Sequence, residues 1–155
     1  MGEAATRVHV LASALDVIRL EAARAYPHEG CGALLGPEAG DVRVTIPLPN
    51  SETGQPRRRF KVSPEDYLAI EDAAEARGLR LLGFWHSHPD HPARPSATDR
   101  RYAWEGLLTV VVAVKEGEPA EVSVWEVPGR DLPFRQLCFE EVAGAPREFP
   151  GTRRS

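Results

Sequence analysis

Lysine is almost missing from this chain: Lys61 and Lys115 stand alone, and every other cation among its 19 basic residues is arginine. With 23 acidic residues the formal net charge is −4, which argues against a general nucleic-acid binder and against attachment to membranes by charge. The bias towards arginine reads as a coding preference, and the cluster Arg57-Arg58-Arg59 reads as a solvated loop or edge strand. Cysteine is equally scarce. Cys31 and Cys138 form no C-x-x-C pair, which speaks against a disulfide scaffold or a cysteine-held metal, and both are expected as buried thiols in a reducing compartment. Long apolar runs are absent too. No stretch approaches the roughly 20 residues that span a bilayer, and Met1 to Arg7 lacks the apolar run of a secretory leader, so the expected location is the cytoplasm.

What remains is an ordinary globular composition, 42% hydrophobic and 27% charged over 155 residues. That length suits one domain with a real core, expected over 1–142. Residues 143–155, with Pro146, Pro150, Gly151 and Arg153-Arg154, carry no core-forming pattern and read as a mobile tail.

Periodicity and punctuation outline the elements. Arg7 to Leu11 reads as a strand, followed by a helix with Ser13 as N-cap whose Leu15, Ile18, Ala22 and Ala25 share one face. Cys31 to Leu35 and Val42 to Leu48 are expected to pair across the turn-rich Gly36 to Gly40. A polar loop, Pro49 to Pro56, leads to a strand over Arg58 to Val62. Ser63-Pro64 then starts a helix that stops at Gly78. Leu79 to His86 and Leu107 to Val114 hardly alternate, so both are expected as central strands covered on two faces, which needs helices on each side of the sheet. Glu121 to Val127 alternates as a one-sided strand, while Phe134 to Val142 fits an edge strand or a terminal helix. The order is that of an α/β sandwich with a mixed sheet.

The densest chemistry lies in His86-Ser87-His88-Pro89, followed by Ser96-Ala97-Thr98-Asp99. On an extended segment the period of two turns both imidazoles to one side. Ser96 reads as an N-cap with Asp99 at the third helical position, which returns a carboxylate to the strand end. Two imidazoles and one carboxylate suit zinc, and three ligands leave an open position, as catalytic sites do. A rival string, His86-x-His88-x-Asp90-His91, matches the two-metal metallo-β-lactamase pattern. That fold needs further ligands downstream, and the remaining histidines, His9 and His28, both lie upstream.

His86-x-His88-Pro89, with ten residues before Asp99 and Pro95-Ser96 among them, resembles the JAMM motif of the MPN+ (JAB1/MPN/Mov34) metalloproteases. Tyr26-Pro27-His28-Glu29-Gly30-Cys31-Gly32-Ala33-Leu34-Leu35-Gly36 is similar to the segment that bears that family's upstream glutamate in bacteria. The resemblance implies a mixed, curved sheet flanked by helices on both faces, with cytidine-deaminase-like layering. It implies that His86, His88 and Asp99 hold one zinc ion per chain. Glu29 would take the proton of the metal-bound water and deliver it to the leaving amine, and Ser96 would help stabilise the oxyanion; read locally, Ser96 is also simply a helix cap.

Few insertions are present, so the chain resembles the compact prokaryotic branch. That likeness implies a zinc peptidase acting beside the C-terminal Gly-Gly of a small ubiquitin-like sulfur-carrier protein. Two alternatives stand next to it: an isopeptidase on lysine-linked modifiers, and an MPN scaffold that binds without catalysis. No nucleic-acid or membrane partner is expected, and a homodimer is left open.

Overall fold

The computed structural model describes residues 7–57, 59–129 and 132–144. Its elements are β1 (Arg7–Leu11), α1 (Ala12–Ala25), β2 (Cys31–Gly36), β3 (Asp41–Val42), β4 (Val44–Leu48), α2 (Pro64–Ala76), β5 (Arg80–Pro89), α3 (Ala97–Tyr102), β6 (Leu108–Lys115), β7 (Glu118–Glu126) and β8 (Arg135–Val142). The strands join in one sheet in the order β3-β1-β8-β7-β6-β5-β2-β4. The α/β class and the mixed sheet with helices on both faces are as expected. β5 and β6 run parallel, as do β1 and β8, while the β2–β5, β6–β7 and β7–β8 pairs are antiparallel.

β3 and β4 sit at opposite edges of this sheet, yet only Arg43 separates them in the chain. The sheet must therefore curl until its two edges nearly meet. The approach is tight at Gly36, where a Cβ would come within 1.8 Å of the Asp41 carbonyl oxygen; no other residue fits.

Two apolar layers hold the sheet. On one face Leu15, Ile18 and Ala22 of α1 pack against Val8, Leu34, Trp85, Val110, Val112 and Leu137. On the other, Ile70 and Ala74 of α2 pack against Ala33, Leu35 and Phe84. Side chains of β2, β5 and β6 alternate between the layers, which explains why their sequences lack alternation: both faces are buried. The α2 boundaries agree with expectation, since Ser63 accepts a hydrogen bond from the Asp66 N–H and Pro64 opens the helix.

Four expectations need correction. Ser13 does not cap α1: Leu11 occupies the N-cap position without a side-chain cap bond, and Ser13 lies inside the helix. Described residues 59–62 form no strand, because Asn50 and Ser51 take over their backbone groups: Asn50 binds the Arg59 carbonyl and the Lys61 N–H, and Ser51 donates to the Lys61 carbonyl. Residues 134–142 contain neither an edge strand nor a helix; β8 lies between β7 and β1. Cys138 is exposed, unlike the buried Cys31, because on β8 it faces away from the layer that covers Leu137 and Phe139. The tail expected beyond Gly144 falls outside the described residues.

Candidate metal centre

The direction of each site side chain is set by its neighbours in β5. Phe84 is locked into the α2 layer and Trp85 into the α1 layer, so His86 and His88 project on the Phe84 side and Ser87 on the Trp85 side. Parallel pairing places Val111 opposite His86 and Ala113 opposite His88. Both join a small apolar cluster with Ala93.

After β5 the chain turns back at Asp90, whose φ is 60°. Its carboxylate accepts hydrogen bonds from the Tyr26 hydroxyl at 2.6 Å and the Glu116 N–H at 2.8 Å, which hold its pKa below the usual carboxylate range. The loop then reaches α3, where the expected capping box forms: Ser96 Oγ accepts from the Asp99 N–H at 3.1 Å, and Asp99 Oδ2 accepts from the Ser96 N–H at 2.7 Å.

This arrangement brings the three predicted ligands together. Asp99 Oδ1 lies 3.2 Å from His86 Nε2, and Asp99 Oδ2 lies 3.0 Å from His88 Nε2. One ligand atom from each of the three falls within 4.8 Å of the others, and all three residues are buried. His88 Nδ1 is 2.7 Å from the Pro92 carbonyl; that carbonyl can only accept, so the proton sits on Nδ1 and Nε2 presents its lone pair to the centre. His86 Nδ1 has no hydrogen-bond partner, and Nε2 meets only Asp99 Oδ1, in a contact that is close but poorly directed for a hydrogen bond. Burial lowers the pKa of His86 and favours the neutral ring. Burial would raise the pKa of Asp99, but the two histidines and the Ser96 N–H outweigh it and keep the carboxylate ionised. Buried lone pairs and a carboxylate facing one another are unfavourable without a positive charge among them. The donor set therefore fits a zinc ion with one position left open.

Glu29 is the fourth member. It is 1% exposed, its Oε1 has no partner, and its carboxylate groups with His88 and His91 within 4.8 Å. Burial first, then the Asp99 charge, push its pKa up to about 9. A divalent cation nearby pulls such a value back towards neutrality, the range in which a carboxyl passes protons well.

Several residues that position the site carried no signal for it in the sequence. Ser87 Oγ accepts from the Gly30 N–H at 2.8 Å, and the Ser87 N–H donates to the Gly30 carbonyl at 3.0 Å, tying the Glu29 segment to β5. The Glu29 N–H donates to the Pro56 carbonyl at 2.7 Å. Asn50 Nδ2 donates to the carbonyls of Glu29 at 3.0 Å and Arg59 at 2.9 Å. Phe60 stacks on the His86 ring at 4.6 Å, and His91 stacks on His88 at 4.3 Å. The Gly-Cys-Gly run of β2 has its own cause: a Cβ at Gly32 would come within 2.2 Å of Trp85 Nε1. Cys31 pairs with His86 across the β2–β5 ladder, its thiol is directed at the Leu48 carbonyl, and burial first, then the Glu29 charge, push its pKa up to about 12, which keeps it a thiol.

A sheet closed almost on itself, with two strand-end histidines facing an acid from a helix's first turn, is the arrangement of JAB/MPN-type domains. Residues 11–127 match the family described as prokaryotic homologs of the JAB domain, and the chain belongs to it. Similar proteins include the "Desampylase" of Haloferax volcanii, 37% identical across 68% of this chain and 80% of its own length. The "Probable TtuB-protein conjugate cleaving protease" of Thermus thermophilus is 37% identical across 57% and 58%. The "CysO-cysteine peptidase" of Mycobacterium tuberculosis is 34% identical across 63% and 68%. Relatives so named are proteases and peptidases. Among solved structures, a Salinibacter ruber protein is 38% identical over 94% of this chain and 96% of its own, with a TM-score of 0.63. A JAB1/MPN domain protein from Archaeoglobus fulgidus, 20% identical over 87% and 99%, shares the fold at a TM-score of 0.56. Among the described residues no helix is long and apolar enough to cross a membrane.

Proposed function

We propose that the protein is a zinc-dependent cytoplasmic peptidase that hydrolyses the amide bond beside the C-terminal Gly-Gly of a small ubiquitin-like sulfur-carrier protein. One observation carries this reading: the donor atoms of His86, His88 and Asp99 converge, and His88 also groups with a buried glutamate whose Oε1 has no partner. A zinc ion held there supplies a Lewis acid that polarises the scissile carbonyl and lowers the pKa of an attacking water to about 7. Glu29 takes the proton that the water loses as its oxygen bonds the carbonyl carbon. As the C–N bond breaks, the same carboxyl gives that proton to the departing nitrogen. The Ser96 hydroxyl oxygen is occupied by the Asp99 N–H, so its O–H remains free to donate to the oxyanion. Phe60 and Trp104 wall a narrow apolar slot beside His86 and Asp99; a diglycine enters such a slot where larger residues clash.

Relatives named for cleaving conjugates favour the isopeptidase alternative, since a lysine-linked amide asks the same chemistry of Glu29. Incubating zinc-loaded protein with a sulfur-carrier protein bearing one extra C-terminal residue, and with a lysine-linked conjugate, separates the readings. Release of the single residue is expected to be faster. Cleavage of the conjugate alone supports the isopeptidase, and cleavage of neither at full zinc occupancy returns the chain to a binding scaffold.

A further inference from the structure

We infer that Arg57 and Arg59 bind the free α-carboxylate of the residue that is released, so that the protein trims C-termini rather than lysine side chains; this rests on the peptidase reading above. The argument begins with the side from which the leaving group departs. Glu29, which delivers the proton to the leaving nitrogen, groups with His88 and His91 and not with His86. The released residue therefore lies on the His91 side of the centre, and the carrier's tail on the Phe60 side. On the His91 side a cleft of about 700 Å3 opens, lined by Gln55, Arg57, His91 and Ser96 among others, with Arg59 on the border between it and the Phe60 slot.

Both arginines are laced to the peptide of Glu29. The residue before Arg57 accepts the Glu29 N–H through the Pro56 carbonyl. Asn50 bridges the carbonyls of Glu29 and Arg59. The backbone that carries both cationic side chains is thus tied to the peptide of the proton donor, and an α-carboxylate is only two bonds from the nitrogen that receives that proton. Neither guanidinium forms an ion pair or side-chain hydrogen bond among the described residues. Asp90 also lines the cleft and lies within range of the Arg57 charge, but its oxygens accept from the Tyr26 hydroxyl and the Glu116 N–H and from neither guanidinium. Glu52, whose charge acts on Arg59, is turned towards its own loop, where Oε2 accepts the N–H groups of Gly54 and Gln55. The open donors match a planar carboxylate.

The test compares a sulfur-carrier protein extended by one alanine as the free acid and as the C-terminal amide. Binding is read by fluorescence anisotropy on zinc-loaded Glu29→Gln protein and turnover on the unsubstituted enzyme. The acid is expected to bind about 10-fold tighter or more, the scale of a charge-assisted contact, with the preference appearing in KM. Arg57→Ala and Arg59→Ala should each shrink the acid-to-amide ratio towards one, and Arg59→Lys should retain part of it. Equal binding of acid and amide overturns the inference and leaves the peptidase intact. Equal weakening of both ligands by the substitutions also overturns it, because the arginines would then touch the carrier body. If the unsubstituted enzyme cleaves neither form, the peptidase reading falls and takes this inference with it.

Discussion

The two faces of β5 are buried alike and built to opposite rules. On the α1 side Trp85 is 1% exposed and its Nε1 donates to Thr45 Oγ1 at 3.1 Å, while Ser87 Oγ receives the Gly30 N–H. Every polar atom there has a use within the fold. One residue further along the strand, on the opposite face, both ring nitrogens of His86 and one oxygen of Glu29 are buried without a well-formed hydrogen bond. A buried polar group left unbonded costs about 1–3 kcal/mol, so this face carries a cost to folding that the other does not. The lesson is a division of labour within one strand: alternate residues stabilise, and those between are kept short of partners for chemistry.

Breaking the ligand face should give the largest effect. His88→Ala and Asp99→Ala are each expected to lose stoichiometric zinc and reduce turnover to background, as metal analysis with a peptidase assay would register; full zinc occupancy in both would mean that the ligands are misassigned. Glu29→Gln should keep the zinc while lowering turnover by about 10²–10⁴-fold, the usual worth of a general acid–base group, and normal turnover would remove Glu29 from the mechanism.

The opposite face should respond in the reverse sense. Trp85→Ala is expected to destabilise by about 3–5 kcal/mol in denaturant titration while zinc content per folded molecule stays near one; lost zinc at retained stability would show that the faces are not separate. A pH series sharpens the contrast further. In metal-free protein the Glu29 pKa, raised from 4.5 to about 9, means that the folded state holds this proton more tightly. Below about pH 4.5 both states hold the proton and nothing is lost; as pH rises towards 9 the unfolded chain ionises while the folded one resists, and stability falls. Metal-free Glu29→Gln should therefore lose less Tm between about pH 5 and pH 9 than the unsubstituted chain; parallel slopes would contradict the burial of this carboxyl. The smallest effect belongs to Ser96→Ala, about 1 kcal/mol from the lost cap. A drop in kcat beyond the change in folded fraction would show that its hydroxyl also meets substrate.

Legibility in the sequence followed the range of the interactions. The pair His86 and His88 depends on a period of two, and the return of Asp99 depends on a capping box three residues long, so both could be read along the chain. Glu29 could not be derived that way; only likeness to a family singled it out, because its burial comes from loops and a strand distant in sequence. The same reason hid Asn50 and Ser87, whose amide and hydroxyl look like surface polarity until their partners at Gly30, Arg59 and Lys61 are known. The place of β8 inside the sheet, which left Cys138 on the uncovered side, arises from parallel pairing with β1 at the far end of the chain. A strand is expected where described residues 59–62 have none, because extended backbone clamped by side chains has the same residue pattern as a ladder.

The clamp at Asn50 has an evolutionary corollary. Because this amide holds Glu29, Arg59 and Lys61 together while the Pro56 carbonyl takes the Glu29 N–H, only residues 52–54 between these ties can be lengthened, shortened or re-charged without shifting Glu29. Diversification can thus proceed by exchanging one surface segment while the engine beneath stays in tune.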